Sequence, residues 1–121
     1  MHEMSIIINL FEVITGKLRE SLGDRPFVVK KVILQVGKLS AVVPEILEYS
    51  FTIARNDATF GTLFCEAELE IQPIPLTVRC HGCDKESVLD APEFRCPLCE
   101  SQDLSITAGK ELFIESVEID E

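Results

Sequence analysis

Two closely spaced cysteine pairs in the second half of the chain have the residue types and the spacing for metal chemistry. The first pair lies in Cys80-His81-Gly82-Cys83, and the second follows after a short interval in Cys96-Pro97-Leu98-Cys99. Two thiols three positions apart can bind one ion from a single tight turn, and a second such pair completes a tetrahedral site of four sulfurs. Because zinc prefers this geometry, the spacing predicts a structural zinc ribbon.

Disulfides, a redox dithiol and thiolate-bound iron are the alternatives for these cysteines. Disulfides need an oxidising compartment, whereas the N-terminus has neither a basic start nor a signal-type cleavage site, so we expect a cytoplasmic protein. A thioredoxin-like motif is usually a single CxxC after a strand, and this chain has two such motifs in a loop-rich stretch. The spacing leaves iron open, since a site of four sulfurs also suits iron. We assign no role to the remaining cysteine, Cys65.

Length and charge limit the classes of function. The 121 residues, 46% of them hydrophobic, suffice for one folded domain, or for one domain carrying a small satellite. No apolar run approaches the roughly eighteen residues that a membrane helix needs, so we expect no membrane span. The 11 basic and 21 acidic residues give a net charge of −10. This charge disfavours nucleic acid as a partner and suits protein partners, metal cations or simple solubility.

The elements that must position these cysteines begin with a helix and a strand. Residues 4–22 have the 3.6-residue period of an amphipathic helix, with apolar positions at Met4, Ile7, Ile8, Phe11, Ile14, Leu18 and Leu22. A nearly continuous run from Phe27 to Gly37, rich in β-branched residues, indicates a buried strand. A second helix is predicted from about Pro44 to Asn56-Asp57, with an apolar face at Ile46, Leu47, Phe51 and Ala54.

The second half of the chain predicts two more strands around the cysteines. Residues alternate between polar and apolar from Glu66 to Gln72, and Pro73 and Pro75 are expected to end that strand. Little regular periodicity is seen over 76–105, as expected for a segment folded around a metal, and a final strand is predicted over 110–119. The expected fold is α+β, with two helices packed on a small three-stranded sheet and an inserted zinc-ribbon unit. The domains are then 1–75 with 106–121, and a zinc ribbon of 76–105.

The first residues of the chain, Met1-His2-Glu3, offer a second kind of metal chemistry. The α-amine of Met1, the amide nitrogen of His2 and the His2 imidazole can close two fused chelate rings around one ion. Square-planar nitrogen donors favour Ni(II) or Cu(II). A histidine near a terminus is more often a solvated residue, and such a site requires that Met1 keep a free amine.

Four stretches resemble the HypA/HybF family of hydrogenase nickel-incorporation proteins. Met1-His2-Glu3-Met4-Ser5, opening a helix, resembles the family's start. The later stretches are Val36-Gly37-Lys38-Leu39-Ser40 with Pro44-Glu45, then Ala67-Glu68-Leu69-Glu70-Ile71 with Pro75, then Cys96-Pro97-Leu98-Cys99 with Gly109-Lys110-Glu111-Leu112. The similarity runs through essentially the whole chain in the family's order.

The resemblance implies a nickel metallochaperone that is not an enzyme. Such proteins deliver Ni(II) for assembly of the NiFe centre in the hydrogenase large subunit, with a nickel-binding GTPase as partner. In some organisms they also serve urease, alongside its accessory proteins. Carried over to this chain, Met1, His2 and Glu3 fall on the nickel site. The structural zinc falls on Cys80, Cys83, Cys96 and Cys99.

This chain departs from the family pattern at three positions. Val43 stands where some members have an acidic residue proposed to reach the nickel. Asp84 and Glu100 follow the two cysteine turns, where glycine is common, and Glu100 is expected to carry slight strain because it tolerates a positive φ less well. His81 has three readings, as a donor to a thiolate, as a ligand that replaces a cysteine when the pH changes, or as an exposed turn residue.

Two other classes of function compete with a metallochaperone. One is an acidic zinc-ribbon adaptor that binds proteins in transcription or translation; the negative charge and the lack of basic and aromatic clusters speak against it. The other is an enzyme. With four thiols on zinc, no coordination position is left for a water nucleophile, and the chain has no GxxxxGK[ST] sequence for nucleotide phosphates.

Overall fold

The computed structural model describes residues 3–40, 42–89 and 94–121. In chain order the helices and strands are α1 (Glu3–Leu22), β1 (Val28–Gly37), α2 (Pro44–Ala54), β2 (Glu68–Ile74), β3 (Leu76–Cys80), β4 (Glu86–Leu89), β5 (Leu104–Ala108) and β6 (Leu112–Asp120). A short 3₁₀ turn, Ala58–Phe60, lies between α2 and β2. This is the predicted α+β fold with two helices, although it contains two three-stranded sheets rather than one. Within the described residues, neither helix is long and apolar enough to cross a membrane.

The first sheet has the strand order β2-β1-β6. The central strand, β1, is the most buried of the three because neighbours flank it on both sides. The last strand of the chain joins the sheet that the first two strands begin, as predicted from the element order. The sequence from β2 to β6 is therefore an excursion that leaves this sheet and returns to it.

The second strand was predicted to end at Pro73 and Pro75; it does end just before Pro75, but the prediction was wrong for Pro73. Strand β2 continues through Pro73 to Ile74, and the proline side chain is exposed. Proline lacks the N–H that a central strand would use, but an edge strand can leave one such position unpaired. Since β2 lies at the edge of its sheet, the proline is tolerated there.

An aromatic cluster joins the two helices to the loop that precedes β2. The Phe11 ring of α1 is stacked on Phe64, with ring centroids 3.9 Å apart and planes 8° apart. Its edge-to-face partners are Phe51 of α2 and Phe60, each with a centroid distance of 5.3 Å. Phe11 and Phe64 are fully buried, so this cluster is a large part of the hydrophobic core.

The buried faces of the helices differ in part from the predicted ones. In α1, Ile7, Phe11 and Ile14 are buried as expected, together with Leu10, which was not predicted. In α2, Ile46 was predicted to be buried but is 48% exposed. The buried positions of that helix are Leu47, Ser50, Phe51 and Ala54. Three of the four predicted positions are therefore confirmed, and the prediction was wrong only at Ile46, while Ser50 was missed.

The second sheet, with the order β4-β3-β5, was not predicted from the sequence. Both pairs are antiparallel, and β3 is the central strand. Its small core consists of buried Leu76, Val78 and Leu89, packed against the half-buried Leu104 and Ile106. Strands of four or five residues are too short to give a clear alternation, which is why this stretch looked irregular in the sequence.

Two glycines approach each other closely where β1 ends. A Cβ atom added to Gly37 would lie 2.2 Å from the carbonyl oxygen of Gly109. The Leu39 N–H donates to that same oxygen, and the Gly37 N–H donates to the Glu111 carbonyl, both at 2.7 Å. Gly109 has a φ of 114°, a conformation that side chains rarely permit. This contact explains why glycines occur in the sequence stretches 36–40 and 109–112.

The Glu111 carboxylate stabilises the same turn. It accepts the N–H groups of Gly109 and Lys110 at 2.7 and 2.8 Å. These hydrogen bonds hold the pKa of the Glu111 carboxyl below its ordinary value, because they favour the charged form.

The chain folds as two compact units. One contains both helices and the described residues of 1–34, 41–71 and 114–121. The other contains 35–40 and the described residues of 72–113, and it includes the second sheet and all four cysteines of the CxxC pairs.

Candidate metal centre

The four cysteines of the two CxxC pairs converge on one point. Their sulfur atoms all lie within 4.8 Å of one another. The shortest distances join Cys80 Sγ to Cys99 Sγ, at 3.4 Å, and Cys83 Sγ to Cys96 Sγ, at 3.8 Å. Each short distance therefore joins one pair to the other, as expected for two turns that close around a single ion.

The two turns have the same backbone geometry. In the first, the Asp84 N–H donates to the Cys80 carbonyl at 2.9 Å; in the second, the Glu100 N–H donates to the Cys96 carbonyl at 2.9 Å. Backbone N–H groups also point at the first sulfur of each turn. Gly82 donates to Cys80 Sγ at 3.2 Å, and Leu98 donates to Cys96 Sγ at 3.4 Å. Such N–H groups stabilise thiolate charge, which metal binding requires.

The residue after each turn adopts a left-handed conformation. Asp84 has a φ of 58° and Glu100 a φ of 65°. Both residues stand where glycine is common, and both adopt the positive φ that glycine tolerates best. Asp84 has a partner for its side chain, since its carboxylate pairs with Arg79 at 2.8 Å.

The pKa values of the four thiols diverge because their backbone hydrogen bonds and their burial differ, and because the neighbouring thiols interact. Hydrogen bonds from backbone N–H groups, that of Cys83 foremost, lower the pKa of Cys80 to about 6, and the Cys99 N–H lowers that of Cys96. Burial raises the pKa of Cys83. For Cys99, the Ser101 N–H lowers the pKa, but the neighbouring thiols and burial outweigh it and raise the value to about 12. Four thiolates at this distance ionise together only around a cation.

The donor set fits zinc. Four sulfurs from two tight turns provide the closed tetrahedral coordination that structural zinc sites have. Two of the ligand residues, Cys80 and Cys96, are buried, and Cys99 is exposed at the edge of the cluster. Within the described parts of the chain, these four residues are the group of histidine, cysteine and acidic side chains that could hold an ion.

His81 lies between the ligands of the first turn and faces outward. Its side chain is exposed, and its Nε2 lies 2.5 Å from the Ser105 hydroxyl on β5. Its backbone N–H donates to the Asp103 carbonyl at 2.9 Å. The residue therefore ties the first turn to the strand that follows the second turn. Cys65, outside this cluster, donates from its thiol to the Thr62 carbonyl at 3.3 Å.

Of the three residues assigned to nickel, Met1 and His2 lie outside the described residues, and Glu3 is the first residue of α1. The Glu3 carboxylate accepts the backbone N–H of Val43 at 3.2 Å. Val43 is the N-cap residue of α2, and it stands where some members of the resembled family have an acidic residue. Glu45 is exposed in the first turn of α2.

The contact between Glu3 and Val43 was missed in the sequence because it involves a backbone group. A signal for it was available, however. The helix beginning at Pro44 has neither a polar capping side chain before it nor a Glu or Gln at its third position, so the start of α2 needs a partner from elsewhere.

The chain resembles known proteins along its whole length. A family described as "Hydrogenase/urease nickel incorporation, metallochaperone, hypA" matches residues 1–119. Hydrogenase maturation factor HypA of Desulfosudis oleivorans is 38% identical over 121 residues, which are 100% of both chains. That of Desulfatibacillum aliphaticivorans is 37% identical over 119 residues, covering 98% of this chain and 87% of the relative.

Two solved structures have the same fold. The solution structure of the Ni metallochaperone HypA from Helicobacter pylori has a TM-score of 0.64 at 22% identity, covering 98% of this chain and 97% of the other. A second structure, described as the solution structure of HypA protein, has a TM-score of 0.67 at 22% identity and covers 98% and 95% of the two chains.

Proposed function

The chain belongs to the HypA family of hydrogenase and urease nickel-incorporation proteins, and from this premise we propose that it is a metallochaperone that delivers Ni(II) for assembly of the NiFe centre of hydrogenase. The observation that carries the proposal is the match of the family over residues 1–119, which includes both the N-terminal residues and the cysteine pairs. The identity of 38% over the full length of a hydrogenase maturation factor supports the same function.

We place the nickel site at Met1, His2 and Glu3. The amine of Met1 together with the amide nitrogen and imidazole of His2 supplies three nitrogen donors in two fused rings. Planar nitrogen donors favour Ni(II) over zinc, which gains little from a planar arrangement. The site stands at the start of α1, whose first described residue is Glu3. Nickel is the cargo at this site.

The second metal has a different task. We propose that Cys80, Cys83, Cys96 and Cys99 hold a structural zinc ion that is not delivered. The support is the convergence of the four sulfurs within 4.8 Å and the closed donor set, which leaves no open position for exchange. We propose a nickel-binding domain of 1–75 and 106–121 and a zinc ribbon of 76–105; the described residues of this ribbon belong to the compact unit of 35–40 and 72–113, in which β5 continues to Ala108. Zinc holds the ribbon folded because ligands from two distant turns meet only around the ion.

Cargo must be released, so the nickel site is expected to bind less tightly than the zinc site. A terminal site with few protein ligands suits micromolar binding, about −8 kcal/mol. Release is promoted by a partner that offers better ligands or that protonates the amine and amide donors, since only the deprotonated groups bind metal. Nickel affinity should therefore fall between about pH 8 and 6, a range that includes the ordinary histidine pKa of about 6.5. A flat affinity over this range would contradict this mode of release.

The partners follow from hydrogenase maturation. We propose a nickel-binding GTPase and the hydrogenase large subunit as direct partners, with urease accessory proteins as partners where urease is the client. The net charge of −10 supports partners that are proteins rather than nucleic acids. Nucleotide hydrolysis belongs to the GTPase, because this chain has no phosphate-binding loop and is itself not an enzyme. The place of action is the cytoplasm.

A nickel titration that exploits the two histidines of the chain tests the function. Zinc-loaded protein with an untagged Met1 is titrated with Ni(II) by calorimetry and visible absorption, beside His2→Ala and the matched control His81→Ala. We expect one nickel with a planar-type spectrum in the native protein and in His81→Ala, and its loss in His2→Ala with zinc retained. Equal binding by all three proteins would refute the N-terminal site. No nickel binding by any of them would refute the metallochaperone function.

A further inference from the structure

Helix α2 exposes a row of large apolar side chains beside its buried face. Ile46, Tyr49 and Ile53 are 48%, 67% and 49% exposed. They stand at positions i, i+3 and i+7, a spacing that places side chains along one stripe of a helix. The N-cap residue Val43, which is also exposed, extends this row by one turn. Ile46, Tyr49 and Ile53 are called the α2 stripe below.

The α2 stripe is surplus to the hydrophobic core. The helix already buries a separate set of side chains, those of Leu47, Ser50, Phe51 and Ala54. Phe51 packs edge to face on Phe11 of α1 and so fixes which side of α2 faces inward. Single exposed apolar residues are ordinary on a protein surface, whereas a contiguous exposed row marks a surface that binds something.

A row of carboxylates runs along the α2 stripe with the same spacing. Glu45, Glu48 and Thr52 are exposed, and each precedes one member of the stripe by a single position. Among the residues that the structure describes, no lysine or arginine pairs with Glu45 or Glu48. Arg55, the next cation along the chain, donates to the Ala67 carbonyl at 2.9 Å. The negative charge beside the stripe is therefore not compensated by the chain itself.

A basic amphipathic helix complements this surface. Side chains at i, i+3 and i+7 are the anchors by which one helix packs against another at a shallow angle. Lysine or arginine residues along one side of the incoming helix would face Glu45 and Glu48, which steers the encounter and fixes its orientation. The charge is on one side of the stripe only, so the complementary helix needs basic residues on one side only.

Two other occupants fit the charges less well. If a second copy of this chain packed its α2 antiparallel to the first, the carboxylates of both helices would lie on the same side of the contact. Each copy also carries a net charge of −10, which opposes self-association. An anionic membrane surface would be repelled by the same carboxylates, because such surfaces attract basic segments.

We propose that the α2 stripe, together with Glu45 and Glu48, is a docking surface for a basic amphipathic helix of a partner protein. Tyr49 lies at its centre and is the most exposed of the three apolar side chains. Tyrosine is among the residue types that dominate binding energy at the centre of interfaces. The surface uses neither the cysteine cluster nor the nickel donors, so it stands independently of the metal chemistry.

A displayed library of three-heptad helices is the probe. Every member has leucine or isoleucine at the first and fourth positions of each heptad, and lysine, arginine, glutamate or glutamine at the neighbouring positions. The library is selected on zinc-loaded, full-length protein, and the dissociation constant of the most enriched peptide is measured by fluorescence anisotropy. We expect lysine and arginine to be enriched along one side of the selected helices, and the peptide to shift the amide NMR signals of α2.

Two variants divide the surface into its apolar and charged parts. Tyr49→Ala removes the central apolar side chain, and the double variant Glu45→Lys with Glu48→Lys reverses the charge of the row. We expect each to weaken binding of the selected peptide at least about tenfold. Binding to the native protein should also weaken as salt is added, because the ion pairs formed are exposed to solvent.

Matched controls lie on other elements. Val88→Ala removes an exposed apolar side chain from β4, and Glu12→Lys with Glu20→Lys makes the same change of charge on exposed positions of α1. Both controls should bind the peptide like the native protein. All the substituted residues are exposed, so the variants should keep the native midpoint of urea unfolding.

Four results would overturn the docking surface. No enriched peptide, or enrichment of glutamate instead of lysine and arginine, would refute the chemistry of the partner. Equal weakening in the controls and in the α2 variants would refute its place. Self-association of the native protein in ultracentrifugation, abolished by Tyr49→Ala, would make the occupant a second copy. Co-sedimentation with phosphatidylglycerol vesicles, abolished by the same variant, would make it a membrane.

Discussion

Alanine substitutions at two glycines of this chain should have opposite effects on stability. In Gly37→Ala, the new Cβ would lie 2.2 Å from the Gly109 oxygen, so these backbones must separate by at least about 0.8 Å to reach 3.0 Å. A Cβ added to Gly109 would itself lie 2.8 Å from the Leu76 Cα, so the Gly109 backbone is also packed closely against Leu76. In Gly16→Ala, by contrast, no atom lies within 4 Å of the added Cβ, and the residue is inside α1.

The magnitudes follow from these contacts. Overpacking costs about 1–3 kcal/mol. The separation also weakens the hydrogen bonds from the Gly37 and Leu39 N–H groups, both 2.7 Å long and each worth about 1 kcal/mol. We therefore expect Gly37→Ala to lower the free energy of unfolding by about 3 kcal/mol. Gly16→Ala should raise it by about 0.5–1 kcal/mol, the usual gain when alanine replaces glycine inside a helix.

Urea unfolding of zinc-saturated protein measures both effects. With a slope of about 2 kcal/mol per molar urea, the midpoint should fall by about 1.5 M in Gly37→Ala and rise by about 0.3–0.5 M in Gly16→Ala. Equal zinc content in the three proteins confirms that the comparison reports packing. A Gly37→Ala midpoint within 0.3 M of the native value would refute the close approach of the two backbones, because no strain could then be stored there.

Three further predictions concern the core and the zinc site. Phe11→Ala should lower the free energy of unfolding, measured in urea, by about 3–5 kcal/mol because the Phe11 ring is fully buried. Phe113 is exposed, so Phe113→Ala should lower it by less than about 1 kcal/mol, and equal losses in the two variants would contradict the assigned core. Cys80→Ser should abolish zinc binding and the amide protection of β3–β5 while α1 keeps its own; zinc retained at full stoichiometry would exclude this ligand set. Zinc binding at pH 7.5 should release about two to three protons, since the pKa of about 6 leaves Cys80 mostly ionised and the pKa of about 12 keeps Cys99 protonated. The zinc affinity should therefore rise with pH. Calorimetry in buffers with different ionisation enthalpies measures the released protons, and a value of zero would contradict the thiol assignments.

The sequence predicted the elements whose patterns are long. The 3.6-residue period of α1 and the run of β-branched residues in β1 extend over enough positions to be distinctive, and both elements occur within one residue of their predicted bounds. The convergence of the CxxC pairs was also predictable, because each pair folds locally and the metal chemistry requires both.

The features that were missed depend on contacts between distant residues. Ile46 lies at the edge of the apolar face of α2, and the periodicity of an eleven-residue helix does not decide whether such an edge position is buried. The passage of β2 through Pro73 depends on the strand being at an edge. The sequence around Pro44 indicates that the start of α2 needs a hydrogen-bond partner, but it does not indicate that Glu3, forty residues away, supplies one.

We propose that the chain has two metal sites with different donor atoms, a nitrogen site for nickel cargo and a sulfur site for zinc. X-ray absorption at the nickel and zinc edges of one sample, loaded with one equivalent of each metal and carrying a free Met1 amine, tests it most directly. We expect nickel to be surrounded by nitrogen or oxygen atoms in a planar arrangement, and zinc to be surrounded by four sulfurs at about 2.3 Å. Sulfur atoms around nickel, or nitrogen atoms replacing sulfur around zinc, would contradict it.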